Sequence, residues 1–140
     1  MNNIVATEWK GNMVFDSDNP SGLKLSMDSD EQFGGTKSGL RPKALMLSAL
    51  AGCSGLDVVS LLKKMKVELE DFKIITTGEL TEEHPKYYHT VNLDYHFYGK
   101  NLNQKKIEKA VNLSIDRYCG VFEMFRRFAK MNTEIHLHNL

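Results

Sequence analysis

From Ile4 to Met27 short apolar runs alternate with turn chemistry around Lys10-Gly11-Asn12 and across Asp16 to Gly22, predicting a small antiparallel meander of three strands. Asp28 to Gly39 is polar and rich in Gly, Ser and Asp, and reads as a loop. Pro42 suits a first helical position, because its missing N–H would find no helical partner there. From it a helical period runs to about Lys66: apolar residues at 45, 46, 49, 50, 53, 56, 59 and 62 recur in steps of three and four, and Lys63, Lys64 and Lys66 mark the wet C-terminal end. The first half is apolar on nearly every side, which predicts burial all round. At 1.5 Å per residue such a helix reaches roughly 37 Å, more than a compact domain of this size is wide, so it pierces the molecule or is shared with a second subunit.

Two segments of strand character follow, Asp71 to Leu80 and Tyr87 to Gly99, joined by the polar hinge TEEHPK. In the second, Val91, Leu93, Tyr95 and Phe97 alternate with Asn92, Asp94, His96 and Tyr98, the period-two pattern of a hairpin strand with one buried face. Asn101 or Asn103 starts a helix whose apolar face is Ile107, Ala110, Val111, Ser114 and Tyr118. Cys119-Gly120 interrupts it, and a short aromatic helix turns Val121, Phe122, Phe125 and Phe128 inward before a closing strand, Asn132 to His138. Three strands, a long helix, two strands, two helices and one strand make an α+β fold with segregated elements.

The chain has 140 residues, enough to bury a core without metal or disulfide staples, and reads as a single domain over 1–140. Eighteen basic residues balance eighteen acidic ones, so the net charge points to neither a nucleic acid nor an anionic membrane as partner. The N-terminus has no basic region leading into a continuous apolar stretch, and the apolar run Ala44 to Cys53 is far short of the about 20 residues that span a bilayer. The expected location is cytoplasmic. There, two cysteines far apart in sequence do not form a permanent framework, and any pairing is expected to be transient and chemical.

Cys53 lies between Gly52 and Gly55, each of which costs a helix about 1 kcal/mol relative to Ala, so a close approach to the backbone beside the thiol is expected. Asp57 sits one turn beyond Cys53 on the same face, where a carboxylate needs a partner, either an ion pair or loop backbone, unless it acts in chemistry. Cys119 stands at a helix start, a position that lowers a thiol pKa, with Arg117 close in sequence. Both cysteines also admit a plain reading as small packing side chains.

The run Pro42-Lys43-Ala44-Leu45-Met46-Leu47-Ser48-Ala49-Leu50-Ala51-Gly52-Cys53-Ser54-Gly55-Leu56-Asp57-Val58-Val59 resembles the signature helix of the OsmC/Ohr superfamily, the osmotically inducible and organic hydroperoxide resistance proteins. Tyr118-Cys119-Gly120-Val121 resembles its second cysteine motif, usually Cys-Pro-Val, and the element order matches along the whole chain. The resemblance implies an intertwined homodimer with the two long helices packed centrally. It implies Cys53 as the peroxidatic thiol and Cys119 as the one that resolves it, with an external dithiol as reductant, no cofactor, and a fatty or aromatic hydroperoxide as substrate. Peroxidase members carry a glutamate where Lys43 stands, ten residues before Cys53, and an arginine in early strands that here offer Lys10 and Asn12. Lys43 or Arg41 would be the cations available to lower a thiol pKa. The pattern is closest to the superfamily's less characterised branch. It leaves two further readings open: the same pocket used for apolar-ligand binding or redox sensing without peroxidase activity, and a purely structural thiol pair.

His136 and His138 alternate onto one face of the last strand, but the sequence places no third ligand beside them, and no metal site is expected. His84 falls in a turn, and His89 and His96 fall on opposite faces of one strand. No glycine-rich loop with phosphate spacing leads from a strand into a helix.

Overall fold

The computed structural model describes residues 1–140 and divides into two compact units, Met1–Met46 and Leu47–Leu140. The first unit holds the predicted meander: β1 (Thr7–Trp9), β2 (Phe15–Asp18) and β3 (Lys24–Met27), antiparallel in the order β1-β2-β3. The loop beyond β3 is organised by the buried Asp28 carboxylate, which accepts backbone N–H bonds from Ser29, Thr36 and Ser38 at 2.8, 2.8 and 3.1 Å. These donors, chiefly Thr36 and Ser38, hold its pKa below the ordinary carboxylate range. Arg41, at the end of this loop, is ion-paired with Asp30.

Helix α1 (Pro42–Lys64) begins in the first unit and runs on into the second. It ends in a Schellman turn: Lys66 takes a left-handed φ of 59°, Val67 N–H reaches the Leu62 carbonyl at 2.9 Å and Lys66 N–H that of Lys63 at 3.2 Å. Burial all round is not found. One seam, Leu50, Ser54, Val58 and Leu62, enters the core, while Leu56 is 75% and Val59 50% exposed. By length and composition the 23-residue helix is apolar enough to cross a bilayer, a property that the shorter run Ala44 to Cys53 does not reveal.

In the second unit β4 (Asp71–Leu80) and β5 (Tyr88–Gly99) form the expected antiparallel pair, and β6 (Lys130–Asn139) adds to β5 in parallel. A parallel neighbour requires a crossover, supplied by α2 (Gln104–Leu113), a π-helical turn (Ser114–Tyr118) and α3 (Gly120–Arg126). The alternation along β5 is realised: Val91, Leu93, Tyr95 and Phe97 are buried in the core with Ile107, Ala110, Val111, Phe122 and Phe125. Asn103 caps α2, its side chain accepting the Lys106 N–H at 3.1 Å.

Two details of the crossover depart from the helical pattern. Tyr118, expected on the buried face, is 52% exposed, because the wider π turn shifts the side-chain register and carries Tyr118 out and Cys119 in. Phe128 lies beyond the end of α3 and is 41% exposed, whereas Phe122 and Phe125 hold the inward positions.

Candidate active site

The parallel crossover ends its π turn directly beside α1, and this brings the two cysteines together. Cys53 stands near enough to Cys119 to act on its ionisation. Cys53 is half-buried on α1; Cys119 is 3% exposed and caps α3, its sulfur accepting the Phe122 N–H at 3.3 Å. Ser114 pins Cys119 from behind, its carbonyl accepting the Cys119 N–H at 2.8 Å.

The helix start does not lower the Cys119 pKa as expected. Burial pushes it up to about 12, outweighing the Phe122 N–H, and the neighbouring Cys53 and Asp57 charges act in the same direction. The Arg117 guanidinium lies over the Tyr118 ring, which the π turn directs outward.

A buried polar chain runs beneath the sulfurs. Ser54 Oγ lies 2.7 Å from the Tyr95 hydroxyl and 2.9 Å from Ser114 Oγ, and the Ser114 hydroxyl reaches the Asp57 carboxylate at 3.0 Å. Asp57 thus finds a hydroxyl as its partner, neither an ion pair nor loop backbone. Burial raises the Tyr95 pKa to about 12, so its phenol stays protonated and available as a donor. Sequence reasoning missed Ser54 and Tyr95 as site residues, and took Ser114 merely as part of an apolar face. A serine inside the buried seam of a helix, and a tyrosine with a polar tip inside a buried strand face, were the available signals.

The glycines beside Cys53 admit no close approach within the chain. A Cβ on Gly52 would meet nothing within 4 Å, and one on Gly55 only the Ile74 side chain at 3.4 Å. They instead open a groove of about 410 Å³ between α1 and β4, lined by Gly52, Gly55, Leu56, Val59, Phe72 and Ile74, among others. Neither cysteine lines it.

The family described as OsmC-like protein matches residues 35–134. Protein YhfA of Escherichia coli K12 is 32% identical over 120 residues, covering 86% of this chain and 87% of that protein. A hypothetical protein from Aquifex aeolicus VF5 superposes with a TM-score of 0.86 at 29% identity, covering 98% of this chain and 96% of that one. The organic hydroperoxide resistance protein OhrB of Bacillus subtilis shares the fold, with a TM-score of 0.66 at 19% identity over 96% of this chain and 98% of its own.

Proposed function

Since this chain belongs to the OsmC/Ohr superfamily through its OsmC-like match, we propose that it is a cysteine-based organic hydroperoxide reductase of oxidative stress defence, working as a single cytoplasmic domain over 1–140 in a homodimer. The observation that carries the reading is the nearness of a half-buried thiol, Cys53, to a fully buried one, Cys119, whose pKa it helps to raise.

The difference in burial supports a division of roles. Cys53, the accessible sulfur, attacks the O–O bond as thiolate: an S–O bond forms, the O–O bond breaks, the alkoxide leaves as alcohol, and Cys53 becomes a sulfenic acid. Cys119, held protonated until then, attacks that sulfur; the S–S bond forms and water leaves. Loss of the Cys53 charge on oxidation removes one of the influences that hold the Cys119 proton. An external dithiol then reduces the disulfide through a mixed disulfide, regenerating two thiols and leaving with the oxidised equivalent.

The homodimer reading rests on uncovered apolar surface. Leu56 and Val59 on α1, Ile75 on β4, and Trp9, Leu23 and Phe33 in the first unit are all exposed in the single chain. Burying the α1 surface against a second copy would also give the thiols an apolar approach suited to fatty or aromatic hydroperoxides.

A second reading, apolar-ligand binding or redox sensing without peroxidase turnover, is favoured by one observation. The charged group joined to the polar chain beside the thiols is the Asp57 carboxylate, an anion, while Arg41 is engaged with Asp30. Peroxide loss on mixing reduced protein with cumene hydroperoxide separates the readings: the reductase consumes it at a rate that Cys53→Ser abolishes, and equal loss in both proteins removes the enzyme.

A further inference from the structure

The face of the β4-β5-β6 sheet opposite the core carries the second concentration of reactive side chains. Parallel register sets Asp94 beside Glu134, His96 beside His136 and Tyr98 beside His138. The rings stack in a row: His96 on His136 at 4.4 Å between centroids, His96 on His138 at 5.2 Å, and Tyr98 on His138 at 4.5 Å, all within 15° of parallel. At one end of the row His136 Nε2 faces two carboxylates, Asp94 Oδ1 at 2.9 Å and Glu134 Oε2 at 3.8 Å.

An ordinary ion pair does not account for this well. Asp94 already stands within hydrogen-bond distance of Nε2, and a second carboxylate, Glu134, stands beyond that distance of the same nitrogen, so three ligand-type groups converge where a hydrogen bond needs two. The ion pairs of both carboxylates are to His136. Lys73, the residue of β4 in register with His96, lies 5.9 Å from the Tyr98 ring centroid.

We propose that Asp94, Glu134 and His136 form a binding site for a divalent transition-metal ion, which takes the place of the proton between Nε2 and Oδ1. The ligating atoms of the three lie within 4.8 Å of one another. Adjacent donors around an octahedral ion with bonds of about 2.1 Å stand roughly 3 Å apart, matching the 2.9 Å pair. Glu134 Oε2 must close on Nε2 by about 1 Å, and its side chain is exposed. One imidazole and two carboxylates suit Zn²⁺, Co²⁺, Ni²⁺ or Mn²⁺, with water completing the shell. Stacking on His96 fixes the His136 ring before the ion arrives. The site bridges two parallel strands already joined by the backbone ladder, the ring stack and the Asn132–Asn92 side-chain hydrogen bond at 2.8 Å, and its occupation would further clamp the edge strand β6 to β5.

The test titrates the reduced protein with Co²⁺ alone and follows backbone amide broadening by NMR together with the absorption spectrum. Saturable one-to-one binding is expected, with broadening centred on residues 94, 134 and 136 and no sulfur-to-cobalt charge transfer. His136→Gln should weaken it roughly 10-fold or more. His89→Gln, which removes a histidine facing a single carboxylate, Glu79 at 3.9 Å, should leave it unchanged. If His136→Gln fails to fold, Asp94→Asn must weaken binding in the same way. Lack of saturation, broadening centred on Cys53 and Cys119, or equal affinity in the variants would overturn the site.

Discussion

The two flanks of α1 carry opposite kinds of surface. On one, Cys53 and Asp57 meet Cys119 and Ser114 of the crossover, and polar groups are paired under cover. On the other, Gly52, Leu56 and Val59 border an open groove, and apolar groups are left uncovered. The same helix therefore desolvates its chemistry with its own chain and leaves its hydrophobic surface for something else. The flanks adjoin at Leu56, about 60° around the helix from Cys53, and part at Val59, about 120° from it, so a change at Val59 separates assembly from reactivity most cleanly.

The largest expected effect strikes the polar flank: Cys53→Ser should reduce hydroperoxide turnover to the uncatalysed rate, while Cys119→Ser should still consume about one equivalent of peroxide before stalling as a sulfenic acid. On the open flank, Leu56→Asp should shift the dimer–monomer equilibrium toward monomer by ~100-fold or more, because the buried charge would lack a partner. Analytical ultracentrifugation reads this directly, and an unchanged dimer would assign the contact elsewhere.

Removing the hydroxyl at the centre of the buried chain, Ser54→Ala, leaves the Tyr95 and Ser114 hydroxyls short of a partner and should cost about 1–3 kcal/mol in denaturant unfolding. Leu56→Ala, on the exposed flank, should leave the stability of dilute monomer within about 0.5 kcal/mol. A further effect is one of pH. The folded state holds the Cys119 proton to about pH 12, whereas an unfolded thiol releases it near 8.5. That contribution is fully present below about pH 8.5 and is lost as pH rises toward 12. Cys119→Ala should flatten the alkaline decline of stability over that window, although the Tyr95 phenol keeps a share of it between about pH 10 and 12.

Most of the architecture was legible, since the order of elements follows from two periodicities: steps of three and four along α1 and alternation along β5. What escaped depended on contacts between distant segments. Ser54 reads as a neutral spacer until Tyr95 and Ser114 are brought to it from 41 and 60 residues away. Cys119 was expected to be acidic because a helix start is visible in sequence and burial is not. Tyr118 followed a 3.6-residue period that the π turn breaks. The outer-face cluster was hidden for a related reason. His136 and His138 appear as two isolated histidines until parallel register with β5 supplies Asp94, His96 and Tyr98. The family resemblance supplied the pairing of Cys53 with Cys119, which no spacing rule could have given.

Peptide mapping by mass spectrometry after one equivalent of cumene hydroperoxide, with free thiols blocked on quenching, tests the thiol assignment most directly. An intramolecular Cys53–Cys119 disulfide in the wild-type protein, and a trappable sulfenic acid on Cys53 alone in Cys119→Ser, are the expected products. Two unmodified thiols, or oxidation that begins at Cys119, would contradict it.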